Sequence, residues 1–181
     1  MPLTRPAPRK LLHLRDIELR GYERADGLVD IEVHMTDTKS YSWANHDRGD
    51  IASGEALHDM WMRVTLDRDM VIQHCEAAMD ATPYTMCPNV AANFGRLAGL
   101  TIGRGFLKAA MQRVGGVEGC THLRELLQPL ATVAFQTRFS LSHRGDARPK
   151  QDSIPPSLVD TCYAYAANGV LAQGHNPPAS D

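Results

Sequence analysis

The first half of the chain alternates hydrophobic and polar residues with a period of two, which is typical of half-buried strands. The clearest run covers residues 28–35, and its apolar face would be formed by Val29, Ile31, Val33 and Met35. A looser run over residues 11–22 precedes it across the turn sequence Ala25-Asp26-Gly27. These two runs predict an antiparallel hairpin, and a third short strand is predicted over residues 39–43.

A second hairpin is predicted over residues 58–78. Its first strand, residues 58–66, places His58 on one face with Met60, Met62, Val64 and Leu66. Asp59, Trp61 and Arg63 fall on the opposite face. The polar turn over residues 67–69 leads into the returning strand, residues 70–78, so both strands belong to one antiparallel pair.

Beyond residue 90 the apolar positions change to the three- and four-residue spacing of amphipathic helices. The predicted helices are residues 90–100, 102–114, 120–139 and 157–171. Pro129 lies inside the third helix and predicts a kink or a break into two helices, and Ser157 is a suitable N-cap for the fourth. Strands followed by helices predict an α+β fold, with an antiparallel sheet of two hairpins and helices packed on one face.

The predicted organisation is one domain with flexible ends. Residues 1–10 are basic and contain three prolines, which indicates a mobile arm. A single α+β domain is predicted over residues 11–171, with a charged, proline-rich loop over residues 143–156. Residues 172–181 are expected to be a disordered tail.

Composition and charge exclude several function classes. The 181 residues are 43% hydrophobic and 22% charged, close to a globular average, and the net charge is −2. With a pI of about 6.4, the chain has no overall positive field that would recruit nucleic acid. There is no apolar run long enough for a membrane span and no signal-peptide core, so we expect a cytoplasmic protein. Four scattered cysteines fit reduced thiols better than a disulfide framework.

Two of the cysteines precede predicted helices. Cys87 stands before Pro88, a residue favoured at the first helical position, which predicts Cys87 as the N-cap. Cys120 also lies at or just before a helix start. Free N–H groups and the helix dipole favour a thiolate there, and the thiolate is both nucleophile and metal ligand. The alternative is a buried core cysteine, which is the favoured interpretation for Cys75 and Cys162.

A third candidate ligand is His58, which lies at the rim of the inward face of its strand; a satisfied core histidine is the alternative. His58, Cys87 and Cys120 form a reasonable set for zinc or iron, with a fourth position open for a substrate or water. Candidates for a general base are Asp59, Glu55 and His122. Asp59 would need a strand bulge to reach the site, and His122 could join Cys120 only if the cysteine lies in the preceding loop.

The chain resembles a bacterial family known only as a domain of unknown function, DUF2889. The resemblance covers residues 15–136 and rests on residues 21–32, on Gly54-Glu55 with His58-Asp59-Met60, and on Gly119-Cys120-Thr121-His122-Leu123. The family name implies no activity.

The layout of residues 58–135 is also similar to that of the U-type iron–sulfur cluster scaffolds, which implies a SufE/NifU-like fold. In that resemblance His58 matches the ligand-site aspartate, while Cys87 and Cys120 match the middle and late cysteines. The first scaffold cysteine is replaced by Ala56, and the histidine before the late cysteine by Gly119. The resemblance therefore implies a fold and a His/Cys/Cys pocket, not cluster assembly.

Three functions follow from these observations. The first is a small metal-dependent lyase or hydrolase acting on a small organic or acyl substrate, with zinc or iron polarising a carbonyl or activating water. The second is a non-catalytic metal-, sulfur- or cluster-handling protein, which the missing cysteine disfavours. The third is a structural or partner-binding module without a metal. Trp61 and Arg63 on the outward strand face make a homodimer a further expectation.

Overall fold

Four antiparallel strands form one meander sheet in the computed structural model, which describes residues 3–142 and 158–171. The strands are β1 (His13–Glu23), β2 (Val29–Lys39), β3 (Ala56–Leu66) and β4 (Ile72–Ala81), in the spatial order β1-β2-β3-β4. Helices follow the sheet along the chain, which confirms the predicted α+β class. The chain divides into two compact units, residues 1–142 and 143–181.

The predicted short strand over residues 39–43 is wrong. Strand β2 continues to Lys39, because the alternation that begins at Val29 persists through Met35 and Asp37. Trp43 forms only an isolated bridge with Ile51. The segment between β2 and β3 is therefore a loop, in which the Asn45 side chain accepts hydrogen bonds from the N–H groups of Asp47 and Arg48.

The inward sheet face supplies half of the core. On β2 the buried positions alternate strictly with half-buried ones, as period-two spacing predicts. Its apolar stripe packs with that of β3 and with buried residues of the helices that follow the sheet. The same stripe ends in two buried polar residues, Asp37 on β2 and His58 on β3.

The first helix is a 3-10 helix, Cys87–Leu97, and not the predicted α-helix over residues 90–100. Its buried residues are Ala91, Phe94 and Leu97, which repeat every three residues. A helix with three residues per turn aligns these positions on one side, whereas the α-helical stripe would have begun at Val90. Eleven residues is long for this helix type, and backbone contacts with β4 hold its end, where Gly99 N–H donates to Ile72 O.

Three α-helices follow in the first unit: α1 (Phe106–Val114), α2 (Thr121–Glu125) and α3 (Leu127–Ser142), with a short 3-10 helix, Gly116–Glu118, between α1 and α2. The predicted apolar stripes are confirmed, since Phe106, Ala110 and Val114 are buried in α1, and Leu123, Leu127, Leu130 and Ala134 in α2 and α3. The break between α2 and α3 confirms that the long helical stretch is divided. Pro129 lies in the first turn of α3, where a missing N–H disrupts no helical hydrogen bond.

The outward sheet face is polar and half-exposed. Trp61 stacks on His34 with ring centroids 3.7 Å apart, and Arg63 forms ion pairs with Glu32 and Glu76. A groove of about 230 Å³ is lined by Trp61, Arg63, the two glutamates and Ala78, among other residues. The homodimer interface inferred from Trp61 and Arg63 stays a prediction.

The predicted helix over residues 157–171 is not formed within residues 158–171. A 3-10 turn, Tyr163–Tyr165, lies within this range. Asp160 adopts a left-handed conformation with φ of 60°, which interrupts a right-handed helix. Cys162 is exposed, so the expectation that it is a core residue is wrong. The predicted loop over residues 143–156, the Ser157 cap and the tail over residues 172–181 lie outside the described residues.

A close approach between β1 and α3 gives a stability prediction. A Cβ atom at Gly21 would overlap the side chain of Thr137, within 3 Å of its Cβ and Cγ2. We expect Gly21→Ala to lower the free energy of unfolding by about 1–3 kcal/mol, the usual cost of overpacking, as measured by urea denaturation. Arg20→Ala on the outward face of the same strand is the matched control, and an equally small effect for both substitutions would contradict the contact.

Candidate metal centre

A cluster of polar side chains occupies one end of the sheet, where β1 and β3 begin and β2 and β4 end. Asp37 and His58 face each other as cross-strand partners on β2 and β3. The side chain of Asp37 is completely buried and that of His58 nearly so. A buried carboxylate is costly unless its oxygens accept hydrogen bonds, so the contacts of Asp37 determine how the cluster is held.

Every acceptor position of Asp37 is used. Oδ1 accepts hydrogen bonds from His13 Nε2 and Arg15 Nε, each at 2.8 Å. Oδ2 accepts hydrogen bonds from Arg15 Nη2 at 2.8 Å and His58 Nδ1 at 2.9 Å. Burial alone would raise the pKa of Asp37, but the hydrogen bonds from Arg15 and His13 lower that pKa well below its usual value. An ionised carboxylate with four donors has no lone pair left for a metal.

Arg15 joins the two halves of the cluster. Besides its two bonds to Asp37, it donates through Nη1 to Glu125 Oε2 at 2.6 Å. Glu125 lies three residues after His122 on α2, so the two side chains belong to one helical turn. The guanidinium therefore connects the strand that orients His58 with the helix that carries His122.

The two histidine rings lie against each other. The centroids of His58 and His122 are 3.8 Å apart with a tilt of 38°. Potential ligand atoms of Asp37, His58 and His122 all lie within 4.8 Å of one another. Because ionised Asp37 can only accept, His58 must donate through Nδ1–H, which leaves the lone pair of Nε2 free.

Both imidazoles favour the neutral form that binds metals. Burial lowers the pKa of His58, and the neighbouring His122 lowers it further, against the opposing effect of Asp37. Burial also lowers the pKa of His122, followed by the positive charge of Arg15. In metal sites, a histidine that binds the ion through one ring nitrogen commonly donates its other ring N–H to a carboxylate, which fixes the tautomer.

Cys120 extends the cluster through a contact with His122. Cys120 Sγ is 3.8 Å from His122 Nδ1, so the two side chains are in contact, and Cys120 has an extended backbone just before α2. Cys87 is the first residue of the 3-10 helix, and the N-cap is Met86. Burial raises the pKa of Cys87 and the nearby Cys120 raises it further, so the expected lowering of this pKa is wrong. Burial raises the pKa of Cys75 to about 12, as suits a core thiol.

The predicted general bases fall into two groups. His122 contacts His58, as described above. Asp59 accepts a hydrogen bond from His34 Nε2 at 2.7 Å on the outward face, so the structure does not bring it to the cluster. Glu55 pairs with Arg48 at 2.6 Å within the loop before β3. Of the predicted ligands, His58 belongs to the group of convergent atoms, and Cys120 contacts His122 of that group. Among the described residues, Cys87 is not a member of the group.

The candidate site residues named from the sequence do not include three members of the cluster: Asp37, Arg15 and His13. A signal for Asp37 was present, because period-two spacing places it on the inward face after Val29, Ile31, Val33 and Met35. A carboxylate on an apolar stripe needs a partner. No comparable signal existed for Arg15 or His13, because the alternation of β1 is weak.

The fold and the cluster define a small α+β protein with a histidine-rich candidate metal centre at one end of its sheet. Comparison with protein families matches residues 13–136 to the family described as "Protein of unknown function (DUF2889)". The chain therefore belongs to the DUF2889 family, and the match includes every residue of the cluster. No curated protein and no solved structure matches the chain significantly, so the similarity to iron–sulfur scaffolds stays a hypothesis. Among the described residues, no helix is both long and apolar enough to cross a membrane.

Proposed function

We propose that this protein is a small metal-dependent enzyme, a lyase or hydrolase, that binds zinc or iron(II) through His58, His122 and Cys120. The observation that carries the proposal is the saturated carboxylate of Asp37, which accepts from Nδ1 of His58, together with the His122 ring, whose centroid is 3.8 Å from that of His58. Two neutral imidazoles and a thiol are a donor set that suits either metal.

The proposal revises the ligand set inferred from the sequence. His122 replaces Cys87 as the third ligand, because His122 contacts both His58 and Cys120. Asp37 supports the site from behind, since its oxygens are already used. Cys120 is near enough to Cys87 to raise the pKa of the Cys87 thiol, after the larger effect of burial.

The chemistry supported by such a site is polar. A metal with three protein ligands keeps a position for water or a carbonyl oxygen, and it either lowers the pKa of the water or polarises the carbonyl. The substrate would be a small organic or acyl compound. Asp59 and Glu55 have no role in this proposal, because the first lies on the other sheet face and the second pairs with Arg48.

Metal analysis of the purified protein tests the proposal. We expect about one equivalent of zinc or iron per chain, and Cys120→Ser should reduce the bound metal and any hydrolysis of small ester substrates together. Cys162→Ala is the matched control, because Cys162 is exposed and outside the cluster, and it should leave both quantities unchanged. A chain that binds neither metal would refute the proposal, whereas stoichiometric metal without turnover of any substrate would favour a non-catalytic metal carrier.

A further inference from the structure

A row of three cross-strand neighbours crosses the outward face of the sheet. His34 on β2 pairs with Trp61 on β3, and Trp61 pairs with Ala78 on β4. The first two side chains are stacked, with ring centroids 3.7 Å apart and planes that differ by 6°. His34 Nε2 also donates to Asp59 Oδ1 at 2.7 Å, which holds the imidazole against one face of the indole. The opposite face of the indole is left for another planar group.

The third position in this row is open, because the side chain of Ala78 is only a methyl group. Trp61 is 40% exposed, and the groove of about 230 Å³ on this face is lined by both Trp61 and Ala78. We call this open position the Ala78 slot. Neighbouring strands are roughly 4.8 Å apart, and the rings of His34 and Trp61 stack at 3.7 Å. One planar group therefore fits beside Trp61 above Ala78.

The next row along the strands is charged. Glu32 on β2, Arg63 on β3 and Glu76 on β4 are cross-strand neighbours, and all three line the same groove. Arg63 donates to Oε1 of each glutamate. Within the part of the chain that the structure describes, Oε2 of each glutamate accepts no hydrogen bond. Two carboxylates and one guanidinium give this row a net charge of −1, so it attracts a cation with N–H donors and disfavours an anion.

A small molecule suits the Ala78 slot better than a protein surface does. The centre of a protein–protein interface is depleted in charged residues, whereas the charged row borders this slot on three strands. The cation–π contact among the described residues joins Lys39 to Tyr41. No side chain of that part of the protein therefore supplies a cation to the free face of Trp61.

We propose that the Ala78 slot binds a small molecule with a planar cation, an amidinium or a guanidinium, which stacks on Trp61 and donates N–H groups to Glu76. An aromatic face attracts a cation through its quadrupole, and tryptophan does so most strongly. A planar cation holds its N–H donors in its own plane, so it can stack and donate at the same time. The slot lies on the sheet face opposite Asp37 and His58, so this inference is independent of the proposed metal centre.

The test compares benzamidine with benzamide, which have nearly the same shape and of which only benzamidine is positively charged. Each compound is titrated into the full ¹⁵N-labelled chain at pH 7, and the indole N–H resonance of Trp61 is followed. The chain has two tryptophans, so Trp43→Phe assigns this resonance. We expect benzamidine to bind at least about fivefold more tightly, because its charge interacts with the indole face and with the carboxylates.

Three variants make the test specific. Ala78→Leu fills the slot and should abolish the shift of the Trp61 resonance by benzamidine. The matched control is His74→Leu, an exposed position on the same face of β4 that does not line the groove, and it should leave the shift intact. Glu76→Gln keeps the shape of the slot and removes one negative charge, so it should lower the affinity for benzamidine toward that for benzamide.

Two results would overturn the inference directly: equal affinity for the two compounds, or a benzamidine shift that persists in Ala78→Leu. The competing occupant of this sheet face is a second copy of the chain. In that case the Trp61 resonance would change with protein concentration and not with benzamidine, and this result would also overturn the inference.

Discussion

Replacing Asp37 with alanine is expected to lower the free energy of unfolding by about 3–5 kcal/mol, the range found when one partner of a buried ion pair is removed. The carboxylate is completely buried and accepts four hydrogen bonds from His13, Arg15 and His58. Arg15 keeps Glu125 and partial contact with water, so a value at the lower end is expected. Urea denaturation at pH 7 followed by circular dichroism measures the change.

The control for this substitution is Glu18→Ala, which removes an exposed carboxylate paired with Arg20 on the outward face. Exposed pairs contribute less than about 1 kcal/mol, so this variant should unfold almost like the parent chain. A comparably small effect of Asp37→Ala would mean that Asp37 does not hold the cluster together.

The same groups predict how stability depends on pH. The folded-state pKa of Asp37 is lowered, so its contribution is fully present above the unfolded pKa of about 3.9 and is lost as the pH falls below it. The pKa values of His58 and His122 are also lowered, so stability should begin to fall below about pH 6.5. Acidification should therefore weaken the fold in two stages, first as His58 and His122 become protonated and then as Asp37 becomes protonated. Asp37→Asn should reduce the loss of stability in the second stage.

Replacing His58 or His122 with alanine is expected to lower zinc affinity by more than about 100-fold. Each substitution removes a proposed ligand, whereas changing a residue that only supports a ligand usually costs about 10–100-fold. Asp37→Asn should fall in that smaller range, because the asparagine can still accept from His58 Nδ1. Affinity is measured by competition with a chromophoric chelator, on variants whose folding has been verified by circular dichroism.

His74→Ala is the matched control, since His74 is an exposed histidine on β4 with its side chain outside the cluster. It should leave zinc affinity unchanged. If His122→Ala retained full affinity while Cys87→Ser lost it, the ligand set inferred from the sequence, His58, Cys87 and Cys120, would be correct and the revised set wrong.

The sheet could be predicted well because its signal is local. Alternation over residues 28–35 and 58–66 identifies β2 and β3 and their inward faces, since a half-buried strand must repeat every two residues. The 3-10 helix was assigned the wrong type, because a stripe of Phe94 and Leu97 fits both three and 3.6 residues per turn. The helix predicted over residues 157–171 is wrong within residues 158–171, because apolar spacing carries no information about the left-handed backbone at Asp160.

The candidate site was predicted in part. His58 and Cys120 were identified from their places at element ends, and His122 was named as a base rather than a ligand. The position of Cys87 at a helix start predicts a lowered thiol pKa. Burial and the neighbouring Cys120 instead raise the pKa of Cys87. Asp59 was named as a candidate base and Asp37 was not considered, although strand alternation turns Asp59 to the outward face and Asp37 to the inward one.

Local sequence patterns predict the α+β order of elements, the inward faces of the central strands and the place of His58 at the rim of the core. These properties depend on residues near one another in the chain. The groups around His58 come from distant parts of the chain: Asp37 is 21 positions away, and Arg15 reaches Glu125 across 110 positions. Such contacts depend on how separate elements pack, and periodicity within one element does not record that packing.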